Sequence, residues 1–234
     1  ANNIGRERGL MEGLSQTLLT LGGYPLSLLE LLGVLSGLLA VLLASKALSV
    51  NFLVGMFNSV CYFLLFFQYR LYSVMLLQVV YFTFSLYGFY HWRHPKQGEA
   101  GPDNEQRIRL LDNRQRLFYA SLIALAGVVW AWLVIHFQAR FPAWVDPPAY
   151  PWLDAFLAMA SVFGQWLLSK KYWENWVVWL MVDVSSTLLY ASMGMVFTAI
   201  MYGVFSMIAL KALISWFRTY KSYHQAVAPV TLEQ

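Results

Sequence analysis

Apolar residues run along the chain in blocks of roughly 18 to 22, each close to the length a helix needs to cross a hydrocarbon core of about 30 Å. Seven blocks are predicted to be membrane-spanning helices: Leu26–Ala44, Asn51–Tyr69, Leu71–Trp92, Leu117–Phe137, Trp152–Ser169, Glu174–Met193 and Met195–Arg218. The longest polar stretch, Arg93 to Arg116, holds Pro95, Gly98, Gly101, Pro102 and six Lys/Arg, and reads as a loop with a helical end. Ahead of the first block, Leu10 to Leu21 follows Arg6-Glu7-Arg8 and mixes apolar residues with Glu12, Ser15, Gln16 and Thr17. That mixture is too polar for a span and unlike a cleavable signal. It predicts a short amphipathic helix on the membrane surface, ending at Gly22-Gly23-Tyr24-Pro25.

The expected layout is an N-terminal helix and turn (1–25), a three-helix bundle (26–92), a cytoplasmic loop (93–116), a linking transmembrane helix (117–137), an external loop (138–151), a second three-helix bundle (152–218) and a cytoplasmic tail (219–234). Sidedness comes from the basic residues. With the long loop cytoplasmic, Lys46, Lys170, Lys171, Arg218 and Lys221 fall on its side and only Arg70 and Arg140 fall opposite, the bias that orients membrane proteins. The bias does not place Arg6 and Arg8.

Shifting the chain against itself by 124 positions aligns Glu30 with Asp154, Ser45-Lys46 with Ser169-Lys170, Asn51 with Asn175, Tyr81 with Phe205 and Trp92 with Trp216. Two copies of a three-helix unit are implied, and one linking helix gives the second copy the orientation of the first. The fold class is thus an all-α membrane protein with two parallel bundles in a 3+1+3 order. Carriers with parallel repeats, the SWEET sugar carriers among them, bind substrate near the midplane between the repeats. Gly33-x-x-x-Gly37 is a candidate close-approach face.

Composition agrees with a lipid solvent: the chain is 59% hydrophobic and 12% charged, about half the charged share of a soluble domain. The net charge of +4 is spread over loops, which argues against nucleic acid as partner. Cys61 is the single cysteine, so an intramolecular disulfide is excluded. His91, His94, His136 and His224 sit near span ends or in tails, and neither HExxH nor DxxD occurs. No metal, cofactor or catalytic set is implied.

Candidate chemistry concentrates in the sixth span, where Asn175, Trp176, Trp179 and Asp183 share an arc roughly 100° wide at helical spacing. Asp183 lies near mid-span, where an ionisable group costs about 2.5 to 3.5 kcal/mol and needs a cavity, a partner or a proton. The third span carries Gln78, Tyr81 and Ser85 on one face, the last span Tyr202 and Ser206, and the second span Asn51, Gly55 and Asn58. Each of these groups alone fits interhelical hydrogen bonding equally well. Together they describe a pocket of aromatic plates, amides and hydroxyls with one acid, suited to a flat, polar, cationic solute. A cation over an indole gains about 0.5 to 2 kcal/mol.

Two stretches resemble the nicotinamide riboside transporter family, PnuC: Tyr72-x4-Leu77-Gln78-x2-Tyr81 with Leu86-Tyr87-Gly88 and Trp92, and Glu174-Asn175-Trp176-x2-Trp179-x3-Asp183 with Leu189-Tyr190 and Tyr202. The resemblance spans about Gly33 to Trp216. It implies a full-length relative of the SWEET carriers, assembled as a homotrimer in the bacterial inner membrane. It also implies uptake of nicotinamide riboside by facilitated diffusion with trapping by cytoplasmic phosphorylation. Trp176 and Trp179 would stack on the pyridine ring, Asn175 and Gln78 would bond the carboxamide or ribose, and Tyr81 and Tyr202 would close the site. The shared motifs cover neither the leading helix nor Asn58. Competing readings are a carrier of another ring-bearing vitamin such as thiamine or riboflavin, a non-transporting membrane subunit, and an intramembrane enzyme.

Overall fold

The computed structural model describes residues 17–21, 24–68, 72–101, 104–141 and 150–227. Among them are a two-stranded hairpin, β1 (Thr17–Leu21) and β2 (Tyr24–Ser27), and seven helices: α1 (Leu28–Ser45), α2 (Val50–Gln68), α3 (Tyr72–Arg93), α4 (Asn113–Arg140), α5 (Pro151–Ser169), α6 (Asn175–Ser192) and α7 (Val196–Val227). The helices stand where the apolar blocks predict them. Five of the seven, α1, α2, α3, α4 and α7, are long and apolar enough to cross a membrane; α5 and α6 are diluted by polar residues such as Asp154, Gln165, Asn175 and Asp183.

The leading segment departs from expectation. Thr17–Leu21 is strand rather than the end of an amphipathic helix, pairing antiparallel with Tyr24–Ser27 so that Leu21 meets Tyr24 and Thr20 meets Pro25. Thr17 and Thr20 are β-branched, and two glycines between two apolar runs form a hairpin signature in the sequence. The rest of the expected helix lies outside the described residues. Just after the hairpin, the Ser27 Oγ accepts the Glu30 N–H at 3.2 Å while the Ser27 N–H donates to the Glu30 carboxylate at 2.7 Å. This capping box starts α1.

The chain divides into two compact units, Ala1–Ala44 with Leu48–Phe89, and Ser45–Ala47 with Tyr90–Gln234. In the first unit the small-residue face of α1 meets α2. A Cβ on Gly33 would lie 3.0 Å from the Tyr62 ring, and one on Gly37 3.3 Å from the Asn58 amide nitrogen. Asn58 donates to the Gly33 carbonyl at 2.6 Å and to the Ser36 Oγ at 3.1 Å. Gly88 of α3 receives the Phe52 ring of α2. Leu35, Leu39, Phe57, Val60, Leu76, Val79 and Leu86 are exposed. These helices are therefore apolar outside and partly polar inside, the arrangement that a lipid solvent favours.

In the second unit α5 packs on α4 and α6, and α6 on α7. Leu167 of α5 meets Val178 and Val182 of α6 with Leu111 from the long loop. Beyond Gly127 and Ala131, α4 keeps a wide apolar surface that includes Leu117, Phe118, Leu125 and Trp132. The Asp112–Gln115 capping box starts α4 four residues ahead of Leu117, and α7 runs past Arg218 to Val227, so part of the expected tail is helical.

The repeat has a local counterpart in backbone geometry. Ala47 and Lys171, 124 residues apart, are both left-handed with φ of 58°. After each, a backbone N–H reaches five residues back, Leu48 to Leu43 at 3.2 Å and Tyr172 to Leu167 at 3.0 Å, as in a Schellman helix end. The following Asn then folds its side-chain amide onto that turn, Asn51 to the Leu48 carbonyl at 2.6 Å and Asn175 to the Tyr172 carbonyl at 2.5 Å. The tryptophans that close the third helix of each repeat act alike. Trp216 donates its indole N–H to the Ser45 carbonyl at 3.1 Å and Trp92 to the Leu168 carbonyl at 3.2 Å.

Candidate functional site

On α6, burial follows the arc read from the sequence. Asn175 is 0% exposed, Trp176 2% and Asp183 6%, with Ser186 one turn further buried as well, whereas Met181, Val184 and Leu188 on the other side are exposed. Beside the apolar Val178, Val182 and Leu189, α6 thus buries an amide, an indole, a carboxylate and a hydroxyl.

Their hydrogen bonds are incomplete among the described residues. The Asn175 side-chain nitrogen is held by the turn, but its Oδ1 is buried without a hydrogen-bond partner, and so is the Trp176 Nε1, on the adjacent residue. Leaving a buried polar group unpaired costs about 1 to 3 kcal/mol. One is an acceptor and the other a donor, the two kinds of group that a carboxamide or a hydroxyl can satisfy. Asp183 forms no ion pair among the described residues: the three that exist join Arg109 to Glu99, Arg116 to Glu174 and Lys171 to Glu105.

The two indoles differ. Trp176 meets Trp216 edge-on, with centroids 5.7 Å apart and planes at 81°, so it is wedged between α6 and α7. Trp179 is half-buried and lies over Gly164 of α5, where a Cβ would stand 3.3 Å from its Cε2 and Nε1. Tyr202 of α7 stacks on Tyr190 at 5.3 Å with planes 20° apart. Tyr190 and Ser186 belong to this face although the sequence reading did not single them out as site residues. Their signal was spacing, since Ser186 follows Asp183 by three positions and Tyr190 follows Ser186 by four.

Immediately before this face, Glu174 anchors the helix start. Its carboxylate accepts the Leu111 N–H at 3.1 Å and the Arg116 Nε at 3.0 Å, with the Arg116 Nη2 at 2.9 Å. The long loop is therefore bound to the α5–α6 turn. The Arg109 N–H donates to the Lys171 carbonyl and the Trp173 N–H to the Arg109 carbonyl, at 3.0 and 2.9 Å. Lys171 itself is buried, with its Nζ 3.5 Å from Glu105 and 4.1 Å from the Trp92 ring centroid.

In the first unit, the buried positions of α3 up to Gly88 are Gln78, Ser85 and Gly88, with Tyr81 half-buried among them. Gln78 bonds its own helix at the Val74 carbonyl at a long 3.4 Å. The three α2 positions expected to line one side divide their tasks: Asn51 holds the turn, Gly55 approaches the Ser85 Oγ, with 3.3 Å to a would-be Cβ, and Asn58 bonds α1.

Helices clad in apolar side chains that turn amides, phenols, indoles and an acid inward define a polytopic membrane carrier of small polar solutes. The chain is 30% identical over 212 residues to the nicotinamide riboside transporter PnuC of Escherichia coli, covering 83% of this chain and 87% of that protein, and 28% identical over 169 residues to that of Neisseria mucosa, covering 71% and 61%. It belongs to the nicotinamide mononucleotide transporter family, which it matches over residues 27–218, and is thus a multi-pass membrane protein. The riboflavin/roseoflavin transporter RibM of Streptomyces davaonensis is 24% identical over 139 residues, 59% of this chain and 61% of its own length. In fold the chain resembles the crystal structure of the vitamin B3 transporter PnuC, with a TM-score of 0.60 at 24% identity, covering 83% of this chain and 82% of the other.

Proposed function

We propose that the protein carries nicotinamide riboside across the bacterial inner membrane by facilitated diffusion. The observation that carries this reading is the buried α6 face, which bears the unpaired Asn175 Oδ1 and Trp176 Nε1, the half-buried Trp179 and, two turns on, the carboxylate of Asp183. Nicotinamide riboside presents a flat cationic ring, a carboxamide and ribose hydroxyls. Trp179 stacks on the ring, Asn175 and Trp176 bond the carboxamide, and Asp183 supplies negative potential. Tyr202 bonds the ribose or closes the site, and Gln78 and Tyr81 form a polar face of the same kind in the first unit. Asn51 and Asn58 shape the helices around it, since their amides are engaged by Leu48, Gly33 and Ser36.

The two repeats take the parallel 3+1+3 arrangement with α4 as linking helix, and three copies assemble. The 93–116 loop and the C-terminus are cytoplasmic. Access alternates between the two faces of the membrane, and phosphorylation in the cytoplasm retains the product. Names of the relatives and the local identity of the two Asn-bearing turns support this reading.

A second reading, a riboflavin carrier, is favoured by the likeness to RibM. Uptake of labelled nicotinamide riboside into proteoliposomes separates the two. Saturable, protein-dependent flux that unlabelled nicotinamide riboside abolishes is the expected result. Flux that only riboflavin or thiamine blocks, or no flux above empty vesicles, defeats it.

A further inference from the structure

Gly164 sits in the interior of α5, where glycine is less favourable than alanine because it surrenders more backbone freedom on folding. It is buried, and the three heavy atoms nearest to a Cβ built on it all belong to α6: Trp179 Cε2 and Nε1 at 3.3 Å and Val178 Cγ1 at 3.4 Å. At that separation an added methyl group does not fit without displacing the indole by a few tenths of an ångström. A flexible side chain would swing aside. Trp179 packs against the Leu167, Val178 and Val182 cluster, so its indole has less freedom to do so.

The other repeat differs at both positions of this contact. At the positions 124 residues earlier, Ala40 stands for Gly164 and Gly55 for Trp179. Where α6 carries an indole the preceding helix offers no side chain, and where α2 carries none the preceding helix has its methyl group.

We propose that Gly164 is a positioning residue for nicotinamide riboside, setting how deeply the Trp179 indole seats against α5 and hence how much room a flat cationic ring has above it. The proposal rests on the reading of Trp179 as the stacking plate. The attraction of a cationic ring to an indole face depends on its distance from the ring centroid, so a displaced indole changes affinity without breaking the fold.

The test uses full-length protein labelled with 5-fluorotryptophan in lipid nanodiscs, with the Trp179 resonance assigned by its loss in Trp179→Phe. Gly164→Ala is expected to move that fluorine resonance while leaving the others in place, and to weaken nicotinamide riboside binding by about 5-fold or more, the scale of a lost ring contact. The melting temperature changes by a few degrees at most, since the helix propensity gained with alanine offsets part of the cost of displacing the indole. In the Trp179→Phe background the same substitution changes affinity by less than about 2-fold, as expected when its effect runs through one contact. If Gly164→Ala alone fails to fold, folding restored by Trp179→Phe supports the steric seat, and failure in both backgrounds overturns it. An unmoved resonance, unchanged affinity, or an equal loss in the Trp179→Phe background also overturns it. A wild type that does not bind nicotinamide riboside defeats the transport reading, and the resonance then decides alone whether Gly164 seats the indole.

Discussion

Replacing Glu174 separates two contributions that meet at one carboxylate. Its side chain is 10% exposed and accepts the buried Leu111 N–H as well as the Arg116 guanidinium. Arg116 is 44% exposed, so the ion pair is screened and its share falls to about 0.5 to 1 kcal/mol. The Leu111 amide has no such recourse to water, and leaving it unpaired costs about 1 to 3 kcal/mol. Glu174→Gln keeps an acceptor for Leu111 and loses the charge, for about 0.5 to 1 kcal/mol. Glu174→Ala loses both contributions, for about 1.5 to 4 kcal/mol in sum. At about 2 to 4 °C per kcal/mol for a chain of this size, the expected fall in Tm is about 1 to 4 °C for the glutamine and about 3 to 16 °C for the alanine. Thermal unfolding of detergent-purified variants at one scan rate reads this order. Equal losses in the two variants would mean that charge, not the Leu111 amide, dominates, and the reasoning would be wrong.

Trp179→Ala is expected to weaken nicotinamide riboside binding by about 5-fold or more, the equivalent of 1 kcal/mol of ring contact; wild-type affinity by calorimetry would remove this indole from the site. Asp183→Asn should lose less affinity than Trp179→Ala in the same titration, and the reverse order would indicate direct pairing of the carboxylate with the pyridinium. Asn58→Ala removes the α1–α2 bonds and should lower Tm by about 2 to 6 °C with affinity unchanged, so a drop in affinity at constant Tm would contradict its structural assignment. Ala47→Gly relieves a left-handed alanine and should raise Tm by about 1 to 3 °C. Lys171→Gly, at the equivalent position, should lower it, because the buried ammonium loses Glu105 and the Trp92 face; a rise in both would show that backbone strain outweighs those contacts.

The helices were legible because lipid imposes one requirement on every span, an apolar run of fixed length, and α1 to α7 each begin or end within a few residues of such a run. Helix ends were less so. Asp112-x-x-Gln115 is a capping signature that placed the start of α4 ahead of its apolar block, and α7 continues past Arg218 because a helix can go on in water once its residues turn polar, with Trp173 and Lys221 packed on Phe217. The leading hairpin was hidden by a mixed stretch that serves either period.

Within the site, the α6 arc was legible because Asn175, Trp176 and Asp183 share a helical face and polar groups at mid-span stand out against apolar neighbours. The tasks of the amides were not. Asn51 and Asn58 look equivalent in sequence, yet one holds a left-handed turn and the other ties two helices together, a difference fixed by tertiary neighbours. Burial of Gln106, Ile108 and Leu111 in the long loop depends likewise on backbone pairing with Lys171 and Trp173, which sequence spacing does not encode.

Tryptophan fluorescence of the purified protein, titrated in parallel with nicotinamide riboside, its phosphorylated form and thiamine, tests the assignment most directly. Saturable quenching by nicotinamide riboside is expected, at concentrations where the other two give little or none. Quenching by thiamine or the phosphorylated form at lower concentration, or no response to nicotinamide riboside, would contradict it.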